Sequence, residues 1–133
     1  MNVAVREIES IAVLDLKGRL TAGVYSETLR DTISCLSQGG KNNLILNMSQ
    51  VDFVDSSGLG TLVLCFTTLQ QQGGALKLAN LSRRQLELMV LTKLTTVFEI
   101  FDSEQDAVNS FFPGRAIKHF DILEYVRDNN SKQ

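Results

Sequence analysis

Leu44-Ile-Leu-Asn47 is a short apolar run, continuous enough to be a central strand covered on both faces. It leads to Val51-Asp-Phe-Val-Asp-Ser-Ser-Gly-Leu-Gly60, which passes directly into Thr61-Leu-Val-Leu-Cys-Phe66. From there Leu59, Leu62, Val63, Phe66 and Leu69 recur at helical spacing, so a helix follows the strand. A buried strand feeding an apolar helix through a polar junction constrains the remainder of the chain more than any other feature.

The junction holds one carboxylate, two adjacent hydroxyls and two glycines: Asp55, Ser56, Ser57, Gly58 and Gly60. Short polar side chains at a helix start accept hydrogen bonds from its unpaired N–H groups, so at least one of Asp55, Ser56 and Ser57 is expected to cap. The same position sets a hydroxyl at the positive end of the helix dipole, where a phosphate is tolerated. Each glycine costs up to about 1 kcal/mol in a helix relative to alanine. Two in one turn imply a backbone that something approaches closely. From the residues alone, capping and a functional surface both remain open.

The rest of the chain repeats the strand–helix alternation. Val3–Ile8 and Ile11–Leu16 read as two strands joined by a short turn at Glu9-Ser10. Lys17 to Gly23 is expected to be a loop, with Gly18 and Gly23 giving it backbone freedom. Tyr25, Leu29, Ile33 and Leu36 mark one face of a helix over about 24–38, ended by Gly39-Gly40. Ala75–Ala79 alternates as a strand. Ser82-Arg-Arg-Gln85 has the form of a capping box opening a helix through Leu91. Val97–Phe101 predicts a further strand with Phe98 and Ile100 on one face. Asp102-Ser-Glu-Gln105 predicts another capped helix, with Ala107, Val108, Phe111 and Phe112 inward and Pro113-Gly114 stopping it.

This order predicts an α/β domain over residues 1–113 with a mixed sheet and right-handed crossovers. A C-terminal extension, 114–133, carries Phe120, Leu123 and Val126 at helical spacing. So short a helix needs something to dock on: its own domain, or a second copy or partner.

Composition excludes several functions. With 133 residues, 44% hydrophobic and 21% charged, the chain is expected to be one soluble domain. A net charge of −2 argues against a nucleic-acid binder, and Arg83-Arg84 reads as a solvated helix start. No apolar run approaches the ~18 residues of a membrane span, and the N-terminus has no secretory order, so a cytoplasmic location is expected. Cys35 and Cys65 read as buried small hydrophobes in two helices, not as a disulfide or metal site. The lone histidine, His119, lies in the extension and reads as an exposed linker residue. No metal-ligand spacing occurs, and Gly58-Leu-Gly60 lacks the rest of a phosphate-binding loop. No catalytic constellation emerges, no cofactor is called for, and an enzyme is not expected.

Asp55-Ser-Ser-Gly-Leu-Gly60, set after Leu44-Ile-Leu-Asn-Met-Ser-Gln-Val-Asp-Phe53, resembles the signature of the STAS domain, specifically the bacterial anti-sigma factor antagonists. Gly18-Arg-Leu-Thr21 stands where that family has a glycine-containing turn, and Gly73-Gly74 with Leu76-Lys-Leu78 matches its fourth strand. The similarity runs from about Val3 to Phe112.

The resemblance implies a STAS fold, a four- or five-stranded mixed sheet with about four helices packed mainly on one side. It implies a regulatory phosphoprotein acting by partner switching. The unphosphorylated form would bind an anti-sigma factor that is also an ATP-using serine kinase, freeing a sigma factor. Phosphorylation at Ser56 would abolish that binding, and a PP2C-type phosphatase would reverse it. Asp55, Ser56, Ser57, Gly58 and Leu59 would form the docking surface, with Thr21 contributing from the preceding loop. Ser57 is the rival acceptor. The alternative is a non-switching STAS subunit of a lipid-transport ATPase or signalling assembly, with Ser56 only capping. The extension beyond Pro113 has no counterpart in the family and is a candidate for homodimer contacts.

Overall fold

The structure is a computed structural model that describes residues 2–115 and 117. Five strands form one sheet in sequential order: β1 (Asn2–Ile8), β2 (Ile11–Leu20), β3 (Asn43–Val54), β4 (Ala75–Ala79) and β5 (Ile100–Phe101). β1 is antiparallel to β2, and every later pairing is parallel, so the sheet is mixed. The helices are α1 (Val24–Gln38), α2 (Ser56–Gln71), α3 (Arg83–Leu91) and α4 (Glu104–Asn109).

Alternation along the strands divides the core in two. Ala12, Leu14 and Leu16 of β2 and Leu44, Leu46 and Met48 of β3 point to the face that carries α1, α2 and α3. Their neighbours Ile11, Val13 and Ile45 point to the other face, where Ala107 and Val108 of α4 cover them. Among the described residues three helices lie on one face and one on the other, in agreement with the expected layering.

α4 is short and is held by side chains around it. Phe111 and Phe112 lie beyond its end but still pack on its face of the sheet. Lys77 of β4 is buried beneath the helix end. Its ammonium donates to Ser110 Oγ at 2.8 Å, pairs with Glu99 at 2.9 Å, and sits 4.1 Å from the centre of the Phe111 ring. Those partners compensate the loss of water around a buried charge. The chain just past the expected boundary at 113 belongs to the same packing. Arg115 stacks 4.2 Å over Phe112 and donates to both Glu9 oxygens at 2.8 and 2.9 Å, while Ile117 packs partly buried against that cluster. The expected helix at 120–127 and His119 lie outside the described residues.

Several local expectations change. Residues 17–20 are strand, because β2 pairs with β3 as far as Leu20 opposite Val54. Gly18, at φ 113°, sits where the register shifts, so its backbone freedom serves an irregularity within a strand. β3 likewise runs on to Val54, well past Asn47. β5 keeps only two residues, preceded by a 3-10 turn at Leu94–Thr96, although Phe98 and Ile100 are both buried as expected. The α4 cap is Ser103, one residue later than the Asp102 pattern suggests. Cys65 is buried, but Cys35 is exposed on α1.

Candidate functional site

Leu20 and Val54 are paired residues at the ends of two parallel strands, so the segments that follow them leave the sheet side by side. Thr21 begins one and Asp55 the other. The Asp55 N–H donates back to the Leu20 carbonyl at 3.3 Å, which ties the second segment to the first.

Asp55 is the cap of α2. Its backbone is extended, its carboxylate accepts the Gly58 N–H at 2.8 Å, and its carbonyl accepts the Leu59 N–H at 3.0 Å as the first helical bond. Of the N–H groups that a helix start leaves without an intrahelical partner, those of Asp55 and Gly58 are thereby satisfied. The Ser56 and Ser57 N–H groups belong to the same set. Their two side chains are exposed, and neither hydroxyl bonds to any described residue. Capping and hydroxyl presentation are therefore separate tasks here, performed by different residues.

The two glycines have unlike reasons. A Cβ on Gly58 would stand 2.1 Å from the Leu20 carbonyl oxygen and 2.8 Å from its carbon, an overlap that fixed backbone cannot relieve. The close approach implied by the sequence is that of β2 of the same domain. Gly60 is exposed with nothing within 4 Å of a built Cβ.

Leu59 is only 7% exposed and packs in the larger core cluster with Leu62. Gly58 and Leu59 therefore do not present a surface. They seat the turn, and its outward side consists of Ser56, Ser57 and Gly60. Of the five residues expected to form the docking surface, Gly58 and Leu59 are buried, because the helix period turns them to the sheet.

Thr21 is partly exposed, and its carbonyl accepts the Ser26 hydroxyl at 2.5 Å. Gly23, at φ 86°, is the cap residue of α1 and offers no side-chain cap. Two exposed apolar residues flank these segments: Val24, 72% exposed, at the start of α1, and Phe53, 42% exposed, two residues before Asp55. The Arg19 guanidinium lies 5.1 Å from the Phe53 ring centre. Sequence reasoning does not single out Val24 or Phe53. The signal available for Phe53 was an aromatic set next to the buried Val51 with one acidic residue between them.

Among the described residues no cluster of three or more His, Cys, Asp or Glu could hold a metal ion. No helix among them is long and apolar enough to cross a membrane. Burial pushes the Cys65 thiol up to about 11, which keeps it protonated and unreactive at neutral pH.

The profile of the STAS domain matches residues 2–107. The chain belongs to the STAS domain family. This STAS protein is 33% identical to the anti-sigma-B factor antagonist of Bacillus subtilis (strain 168), over 81% of its own length and 97% of the relative's. Its fold is that of SpoIIAA. Against the unphosphorylated form of that anti-sigma factor antagonist the TM-score is 0.64 at 22% identity, covering 86% of this chain and 100% of the other. Against the phosphorylated form of the Bacillus protein it is 0.64 at 23% identity, covering 83% and 99%.

Proposed function

We propose that this STAS protein is an anti-sigma factor antagonist switched by phosphorylation of Ser56. The observation that carries the reading is the division of labour at the start of α2. Asp55 performs the capping, so the Ser56 hydroxyl is exposed, unbonded to any described residue and open to a kinase. The unphosphorylated form binds an anti-sigma factor that is also an ATP-using serine kinase, in the cytoplasm. A PP2C-type phosphatase restores that form. Ser56, Ser57 and Thr21 are the polar part of the contact surface. Val24 and Phe53 supply apolar area beside it.

The switch needs no change of fold. A phosphoryl group adds about −1.5 to −2 charge at neutral pH. The Ser56 and Ser57 N–H groups and the helix dipole offset part of its cost, while the Asp55 carboxylate repels it. Gly58 and Leu59, which seat the turn, lie on the other side and are undisturbed. A partner packed over the turn meets the full charge, and every 1.4 kcal/mol of repulsion or lost solvation is tenfold in affinity.

The test is incubation with the cognate kinase and ATP followed by mass mapping. Phosphate on Ser56, with partner affinity reduced at least tenfold in the modified form, is the expected result. Phosphate on Ser57 alone, or none on this turn, overturns the assignment. Equal partner binding by Ser56→Ala and Ser56→Asp would instead indicate a non-switching STAS subunit.

A further inference from the structure

A cleft between α1 and α2 has the shape and chemistry of a binding site and stands apart from the Ser56 turn. Its volume is about 360 Å³, at the lower end of the range for small-molecule sites. It is lined by the second half of each helix, and Leu64 to Gln72 lie roughly 12–24 Å from Ser56 along α2.

The floor is apolar: Ile33, Cys65 and Leu69 are each almost fully buried, and half-exposed Leu64 forms one wall. The cysteine belongs to that floor, since its thiol is kept neutral by burial. At one end stands Arg30, whose side chain makes no ion pair or hydrogen bond with any described residue. No Asp or Glu is among the lining residues to compete for it. At the other end Ser37 closes the cleft, its hydroxyl 2.7 Å from Asn42 Oδ1 and also in contact with Gln72 Oε1.

A greasy floor with one unpaired cation at one end selects a ligand with an apolar body and a single negative group. Polyanions are disfavoured twice. Among the described lining residues Arg30 is the single cation, and the cleft opens beside the C-terminal, negative ends of both helices. Those ends also fix the orientation, with the charge at Arg30 and the neutral body running toward Ser37.

We infer that the α1–α2 cleft binds a small amphipathic monoanion, a short-chain or medium-chain carboxylate in kind, with its carboxylate on Arg30 and its chain over Ile33, Cys65 and Leu69. This site is independent of the phosphorylation reading, and a Ser56→Ala chain serves equally well to measure it.

The test is titration of the ¹⁵N-labelled full chain with octanoate below its micelle concentration, with octanol and octylammonium as neutral and cationic comparators. The expected result is saturable shifts confined to amides of residues 30–38 and 64–72. Octanol and octylammonium are expected to bind about tenfold more weakly or worse, and Arg30→Gln to remove a similar factor from octanoate, the worth of one charge-assisted hydrogen bond. Ser34→Trp, an exposed change on the rim, should block binding while leaving the folded spectrum elsewhere intact. The inference is overturned by an absence of saturable shifts, or by shifts centred elsewhere. It is equally overturned if octanol matches octanoate in affinity, or if the cleft signals respond to protein concentration alone, which would mark it as a contact between copies.

Discussion

α2 and α3 begin with similar residues and use them in opposite ways. At α3, Ser82 accepts the Gln85 N–H at 3.2 Å while Gln85 accepts the Ser82 N–H at 2.8 Å. The Gln85 amide then donates to the Val51 carbonyl at 3.0 Å, so both capping side chains are engaged by the fold even though Ser82 itself lies at the surface. At α2 one carboxylate caps and two hydroxyls are left outside. A serine at a helix start is thus ambiguous by itself. What separates a structural hydroxyl from a presented one is whether a neighbour has taken over the cap.

Substitutions can break or sharpen that contrast. The largest effect belongs to the glycines. Gly58→Ala forces a methyl group against the Leu20 carbonyl, and overpacking against fixed backbone costs about 3 kcal/mol or more. Gly60→Ala has open space and ordinary helical backbone, so it should stabilise by up to about 1 kcal/mol. Urea melts of the two variants are expected to move in opposite directions; a shared sign would show that the α2–β2 approach is not the reason for Gly58.

The caps come next. Ser82→Ala removes the hydroxyl half of a reciprocal pair and should cost about 1–2 kcal/mol, and Asp55→Ala about 1 kcal/mol. Equilibrium unfolding measures both, and a cost near zero for Asp55→Ala would return the capping role to a serine.

The smallest effect is the most telling. Ser56→Ala and Ser57→Ala should each change stability by less than about 0.5 kcal/mol, as surface substitutions without partners do. A loss of 1 kcal/mol or more for Ser56→Ala in the same melts would make it a cap like Ser82 and remove the contrast.

Much of the fold was legible because its signals are local. The Glu9-Ser10 hairpin, the strands at 44–47 and 75–79, and the Ser82–Gln85 box follow from periodicity and capping chemistry over a few residues. The failures are non-local. Residues 17–20 look like a glycine-marked loop, yet each finds a partner strand in 50–54 that supplies backbone hydrogen bonds which propensity does not anticipate. Cys35 and Cys65 occupy similar helical settings in the sequence, but only the second faces the core. Of the candidate site, the hydroxyls and their place at a helix start could be read directly. That Gly58 and Leu59 face inward could not, because facing depends on where the sheet lies.

The sequence by itself determined the α/β order, the STAS resemblance and the position of Ser56 at the junction of β3 and α2, since periodicity and short motifs are carried by neighbours in the chain. The tertiary structure alone decided which member of Asp55-Ser56-Ser57 caps, which glycine is required and which side of the turn is outside. Those outcomes rest on Leu20, thirty-five positions from Asp55. Its carbonyl accepts the Asp55 N–H and leaves no room for a side chain at 58. Only the parallel pairing of β2 with β3 brings that carbonyl to the start of α2.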